Sequence, residues 1–225
     1  MRNTKRGARD GRKLVRTGAL VLVLLLLAFC YTPPGRAMWT ELRRACGLLP
    51  FAQSLPDADL TVYVIDVGKA DAILIETPEG AVLSDCATAE QAKTVLRVLK
   101  QRNIQKLRAV WISHADSDHV GGLTQILREV PAEEVVTSVY TELTGLPEDQ
   151  TVRTVSAGET VSYGEAEFRV FAPSEDLEST NENSLVYKFC YKEFSMLFCG
   201  DIEEKAERLL LDIYCLLYTS PSPRD

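Results

Sequence analysis

Histidine is nearly absent from this chain, with two residues in 225, and tryptophan is equally sparse at two. Six cysteines are present, yet none stands in a Cys-x-x-Cys pair, which excludes a zinc knuckle or a dithiol redox motif and gives no disulfide framework. Cys86, Cys190 and Cys199 follow or lie in apolar, strand-like segments and read as buried free thiols. A bridge from Cys190 to Cys199 across a hairpin is the alternative left open. No apolar run reaches the ~20 residues of a comfortable membrane span. Residues 60–213 contain neither an internal repeat nor a low-complexity stretch.

One apolar run nevertheless stands out. Residues 1–17 are basic, with Arg2, Lys5, Arg6, Arg9, Arg12, Lys13 and Arg16 against Asp10, and the run Gly18 to Tyr31 comes next, before Thr32-Pro33-Pro34-Gly35. That layout is expected of a secretion signal or a short signal anchor. No clean small-x-small cleavage site accompanies it, and Leu27-Ala28-Phe29-Cys30 only faintly resembles a lipoprotein box. Retention as a membrane anchor and cleavage both stay open.

Positive charge is lacking beyond this end. Residues 1–50 carry 10 Lys or Arg and 2 acids, whereas residues 51–225 carry 15 and 30. The basic end favours anionic lipid and a cytoplasmic N-terminus. The acidic remainder repels phosphate backbones at long range and argues against a broad nucleic-acid-binding face. Apolar residues at 46% and charged residues at 25% fit one globular domain plus this appendage.

After a linker over residues 32–59, Leu60–Ile65, Ala72–Glu76 and a run from Ala81 to Ser84 read as a small antiparallel sheet, with Pro78-Glu79-Gly80 as a turn. Thr88 and Gln91 suggest a capping box for a helix ending near Arg102, along which Ala92, Val95, Leu96 and Leu99 recur at helical spacing. Arg108–Ile112 reads as a buried strand, Ser113–Asp118 as a loop and Val120–Arg128 as a helix. Val135–Tyr140, Glu167–Phe171, Ser184–Tyr191 and Phe194–Cys199 are further strands, the last two a hairpin. Glu203–Leu211 starts an amphipathic helix. This order suggests two packed sheets with helices outside, an α/β arrangement.

The chemistry concentrates in His114-Ala115-Asp116-Ser117-Asp118-His119, which holds both histidines of the chain. Four candidate ligands within six residues, directly after a strand and before a helix, can converge only on a loop. Imidazole and carboxylate are the donors of hydrolytic zinc, manganese and iron sites. Gly121-Gly122 is expected to let the backbone pass close to a metal or an anion at the helix start.

His-x-Asp-x-Asp-His-x-Gly-Gly resembles the His-x-His-x-Asp-His signature of the metallo-β-lactamase superfamily, in the variant of the DNA-uptake protein ComEC and its standalone relatives. Val64-Ile65-Asp66-Val67-Gly68-Lys69-Ala70-Asp71-Ala72-Ile73-Leu74-Ile75, Leu83-Ser84-Asp85, Asn181-Glu182-Asn183-Ser184-Leu185-Val186 and Phe198-Cys199-Gly200-Asp201 are similar, in order, to that family's other motifs over about residues 60–210. The resemblance implies an αββα four-layer sandwich. It also implies two divalent ions, with His114 and Asp116 on one, Asp118 and His119 on the other and Asp201 between them. Asp85 would orient a ligand, Asp71 would neighbour the site, and Asn181 or Asn183 would face substrate or metal. Asp116, where the commoner signature has His, makes the site harder and brings manganese or magnesium beside zinc.

The family also closes its second site with a His beyond the Gly-Asp strand, and no His comes after His119. Cys215 to Asp225 resembles the read-through of a sequencing adapter. The expectation is therefore a partial domain over residues 60–213, incomplete at its C-terminus, and a non-native tail over 214–225. The implied reaction is attack by a metal-activated water, with Asp118 holding the nucleophile and accepting its proton. A small phosphodiester or a nucleic acid strand is the expected substrate, cleaved outside the cytoplasmic membrane. The rivals are hydrolysis of an envelope ester or a lactam, and a non-catalytic binding module or inert fragment.

Overall fold

A computed structural model describes residues 59–213, together with Phe29 and Thr32. The basic segment, the apolar run, the linker and the tail otherwise lie outside the described residues. Among the described residues no helix is long and apolar enough to cross a membrane.

Two sheets make up the body. The first is ordered β1 to β6 and opens with the expected antiparallel meander, β1 (Thr61–Val64), β2 (Ile73–Thr77) and β3 (Gly80–Ser84). It then turns parallel through β4 (Leu107–Trp111), β5 (Ala132–Ser138) and β6 (Val152–Val155). Parallel neighbours need crossovers. Helix α1 (Ala92–Gln101) joins β3 to β4, while α2 (Ser117–Val120) and α3 (Leu123–Glu129) join β4 to β5. The second sheet is antiparallel in the order β10-β9-β8-β7, built from β7 (Thr160–Tyr163), β8 (Ala166–Ala172), β9 (Val186–Tyr191) and β10 (Phe194–Phe198). Helix α4 (Glu204–Ile213) comes last and touches β8.

Strand alternation decides which core each side chain joins. Leu74 and Leu83 face a helix-side core with Val95, Leu99 and Ile126, whereas Ile75, Val82, Ala109 and Trp111 face the second sheet and meet Phe168, Tyr187 and Phe189. Trp111 stacks on Phe168 at 4.7 Å between ring centroids and meets Tyr187 at 4.6 Å. Because β4 is buried on both faces, its end is a fixed platform for Ser113 and His114.

Several expectations change in detail. The capping box is half realised: the Gln91 N–H donates to Thr88 Oγ1 at 3.3 Å, but Gln91 Oε1 accepts from the Thr94 hydroxyl instead. The helix expected from Val120 starts earlier, so that Asp118 and His119 lie on the turn α2, and it breaks at Gly121-Gly122 before α3. Protein crowds both glycines: a Cβ on Gly121 would lie 2.3 Å from the Ser117 carbonyl oxygen and 2.9 Å from the Ala89 nitrogen, and one on Gly122 only 2.2 Å from the Cys86 carbonyl oxygen. β6 and β7 are not expected from the sequence, being four residues each, with three of the four exposed in β6 and alternate residues exposed in β7. A Cys190 to Cys199 bridge does not form, because Cys190 sits opposite Ser195 in the hairpin register, and both thiols are free.

Gly122→Ala tests the packing. Gly122 is the N-cap of α3, where Gly is preferred to Ala, and the clash with the Cys86 carbonyl adds about 1–3 kcal/mol. The expected outcome is a lower urea midpoint at unchanged slope.

Candidate metal centre

The centre is built at strand ends. Asp85 comes directly after β3, Ser113 and His114 just after β4, and Asp201 just after β10. The carboxyl ends of parallel strands are the habitual ligand-binding edge of such sheets. A lattice of backbone hydrogen bonds holds the segments together. The Asp85 N–H donates to the Trp111 carbonyl (2.8 Å), Cys86 to His119 (2.7 Å), Ala87 to Asp71 (2.8 Å), Asp71 to Asp118 (3.2 Å) and Leu185 to Ser113 (2.7 Å). To make these bonds the chain bends sharply, with Asp85 and Ala87 both left-handed at φ +56° and +58°. Asp tolerates this region better than Ala does, and such conformations persist only where the surroundings impose them.

Within this lattice the two imidazoles lie 4.1 Å apart between ring centroids, both buried. Asp85, also buried, anchors them. Its Oδ1 accepts the Ser113 backbone N–H at 2.8 Å, and its Oδ2 accepts the Ser113 hydroxyl at 2.9 Å and faces His119 Nδ1 at 3.0 Å. An ionised carboxylate only accepts, so His119 carries a proton on Nδ1 and presents Nε2 to Asp201 Oδ1 at 3.3 Å. With its own proton committed to Asp85, the Ser113 oxygen accepts from His114 Nδ1 at 2.9 Å. That tautomer leaves a bare lone pair on His114 Nε2, which is buried and without a hydrogen-bond partner.

These atoms fit a cation. His114, His119 and Asp201 each offer a donor atom within 4.8 Å of the others, and Asp71, Asp85 and His119 do the same. A buried, unpartnered imidazole nitrogen is costly unless something binds it, and here it points among carboxylates. Asp116 Oδ2 lies 3.8 Å from His114 Nε2, at the edge of the group. Asp118 is half-buried and stands outside both triplets, but its charge reaches Asp71.

Electrostatics report the same crowding. Burial lowers His119, but the hydrogen bond and charge of Asp85, joined by the charges of Asp201 and Asp71, push its pKa up to about 9. His114 moves the other way, lowered by burial and by the neighbouring His119. Asp71 is raised, chiefly by burial and then by Asp85, Asp201 and Asp118, against the pull of His119.

The two asparagines are placed elsewhere. Asn183 accepts the Leu177 N–H at 2.8 Å and donates to Asp176 Oδ1 at 2.7 Å, which pins the loop before β9. Asn181 donates to Glu203 Oε1 at 3.1 Å. Sequence reasoning missed Ser113 as the link between Asp85 and the two imidazoles. The available signal was a hydroxyl residue directly before the first histidine.

The raised His119 pKa has a consequence for stability. A folded pKa of about 9 against an ordinary 6.5 stabilises the metal-free protein fully below pH 6.5 and is lost as pH rises through 9. The shift is worth on the order of 3 kcal/mol. Denaturant melts in chelator are expected to show this decline between pH 6.5 and 9, and His119→Gln to remove it. Divalent metal displaces the same proton, so calorimetric binding heats at pH 7.5 are expected to vary with buffer ionisation enthalpy.

Comparison with known proteins agrees with this geometry. The family model described as Metallo-beta-lactamase superfamily matches residues 65–223. Competence protein ComA of Neisseria gonorrhoeae is 27% identical over 210 residues, covering 87% of this chain and 28% of that protein. ComE operon protein 3 of Bacillus subtilis (strain 168) is 24% identical over 183 residues, covering 68% and 23%. The chain thus spans about a quarter of the length of these two curated relatives. Hydroxyacylglutathione hydrolase of Citrobacter koseri is 32% identical over 111 residues, covering 49% of this chain and 39% of that enzyme. Among solved structures, a HARLDQ-motif mutant metallo-beta-lactamase of Cronobacter sakazakii superposes with a TM-score of 0.51 at 16% identity, covering 66% of this chain and 64% of that one. With its matched span, its two-sheet α/β fold and its clustered imidazole and carboxylate donors, this chain belongs to the metallo-beta-lactamase superfamily as a ComEC-like member.

Proposed function

We propose that this chain, a hydrolase of the metallo-beta-lactamase superfamily, cleaves phosphodiester bonds of a small nucleotide-like molecule or a nucleic acid strand on the outer side of a membrane. The observation that carries the reading is the donor set. Asp71, Asp85, Asp116, Asp118 and Asp201 surround or border only two imidazoles. A centre so rich in carboxylate brings the harder manganese beside the borderline zinc, and both suit phosphoryl transfer. The similarity to the two competence proteins supports the same direction.

In this reading His114, Asp116, Asp118, His119 and Asp201 hold two divalent ions. The ions, when bound, supply Lewis acidity and an acidified water. The chain's own groups do the rest. Asp85 fixes the His119 tautomer and aims Nε2 inward, a task that outer carboxylates typically perform for histidine ligands. Ser113 does the same for His114 through one hydroxyl. Asp118, half-buried, would orient the attacking water and accept its proton. The basic N-terminal segment would hold the domain at the membrane.

The similarity to hydroxyacylglutathione hydrolase favours a second reading, hydrolysis of an ester or thioester at the same centre.

The two are separated by assaying bis-p-nitrophenyl phosphate, single-stranded DNA, a glutathione thioester and a chromogenic cephalosporin side by side with Mn²⁺ and Zn²⁺. Turnover of either phosphodiester, lost on chelation and reduced about 10²–10⁴-fold in kcat by Asp118→Asn, is the expected result. Turnover of the thioester or cephalosporin alone would overturn the phosphodiester assignment.

A further inference from the structure

Asp201 presents an unusual problem of support. Its carboxylate is substantially exposed, at 44% of the side chain, and its only close polar neighbour among the described residues is His119 Nε2. Carboxylates that ligate metals are ordinarily oriented by hydrogen bonds of their own. Among the described residues Asp201 has no such bond, so its direction depends on the backbone that carries it.

That backbone is gripped on both sides by one segment. Before Asp201, Gly200 is left-handed at φ +56° and lodged so that a Cβ there would lie 2.8 Å from Ser184 Cβ and 2.9 Å from Ser113 Cβ. At Asp201 itself, the backbone N–H donates to Ser184 Oγ at 3.2 Å. Beyond it, Glu182 accepts three backbone N–H groups at the start of α4: Ala206 at 2.8 Å, Lys205 at 3.1 Å and Glu203 at 3.3 Å. Leu185, the next residue along the segment, donates to the Ser113 carbonyl at 2.7 Å and ties the grip to the histidine-bearing strand end.

Glu182 is notable for what it does not do. It is buried, yet no Lys or Arg among the described residues pairs with it, and the nearby Lys205 ammonium donates to the Leu177 carbonyl instead. Its charge is balanced by the orphan N–H groups and positive end of a helix. Burying a carboxylate merely to end a ten-residue helix is an expensive choice when an exposed Ser or Asp would cap as well. The cost is intelligible if the start of α4 must stay in place for the residue just before it.

We propose that Glu182 and Ser184 are positioning residues for Asp201: together they clamp Gly200 to Ala206 against the loop before β9 and so hold the Asp201 carboxylate toward His119 and His114. The inference rests on the reading of Asp201 as a metal ligand. It also gives the Asn-Glu-Asn-Ser motif a division of labour. Asn183 secures the preceding loop, Glu182 holds the helix, and Ser184 holds the ligand's own backbone.

The test is a Co²⁺ titration of the full chain monitored by visible absorption, with circular dichroism and thermal melts recorded in parallel. Ser184→Ala and Glu182→Gln are expected to stay folded, bind Co²⁺ about tenfold or more weakly, and show a changed ligand-field band. Glu182→Ala should lose more affinity than Glu182→Gln, which keeps one acceptor oxygen. Glu175→Gln, an exposed acid before the same loop, should match the wild type. Wild-type affinity and spectrum in both Ser184→Ala and Glu182→Gln, alongside a loss in Asp201→Asn, would overturn the clamp and leave the metal centre standing. Wild-type binding in Asp201→Asn, or no Co²⁺ binding by the unmutated chain, would instead remove the ligand assignment on which the clamp rests.

Discussion

The contact between His119 and two carboxylates, Asp85 at 3.0 Å from one ring nitrogen and Asp201 at 3.3 Å from the other, sets the terms for the rest of the molecule. A buried imidazole between two anions needs either a second proton or a cation. Both solutions demand that the ring be held rigidly, because a small rotation would trade one contact for the other. The backbone lattice supplies that rigidity. Cys86 donates to the His119 carbonyl while Asp71 donates to the neighbouring carbonyl of Asp118, so the turn bearing the ring is fastened to two loops at once. The left-handed backbone at Asp85 and Ala87 is a local cost of this arrangement.

Much of this was legible in the sequence. The spacing from His114 to His119 announced two imidazoles close together, and the family resemblance implied an orienting carboxylate at Asp85; the structure places it against His119. The helix face Ala92, Val95, Leu96 and Leu99 reads directly from its period, and all four are buried. The meander and the terminal hairpin were equally plain, because alternation and turn residues are local signals.

What escaped was non-local. Gly121-Gly122 is crowded by residues 86–89, a segment that sequence distance hides. Asn181 and Asn183 share a motif with Ser184, but only folding shows that the amides are used elsewhere while the hydroxyl reaches Asp201. β6 and β7 carry too few apolar residues to announce themselves, and they pair because neighbouring strands are already fixed. Glu182 is the clearest instance. As a sequence letter it is one acid among 32 Asp and Glu, and its meaning lies wholly in three backbone groups more than twenty residues away.

The two sheets divide the work unequally. The first carries Asp71, Asp85, Ser113, His114 and His119 at or beside its strand ends, so this part of the centre forms as the strands pair. Among the described residues the second contributes Asp201, delivered by the end of β10 and by the grip of residues 182–185. The sheets otherwise meet through apolar packing around Trp111, Phe168 and Tyr187, pinned by two side-chain hydrogen bonds, from the Tyr187 hydroxyl to Ser84 at 2.7 Å and from the Tyr163 hydroxyl to Glu134 at 2.5 Å. A cation shared by His114, His119 and Asp201 would be a polar bond between the two halves, with direction as well as strength. Metal binding and sheet docking would then be one event, since the donors meet only when both sheets are in register. A centre so arranged draws part of its metal affinity from the packing of the whole sandwich, and lends part of its binding energy back to it.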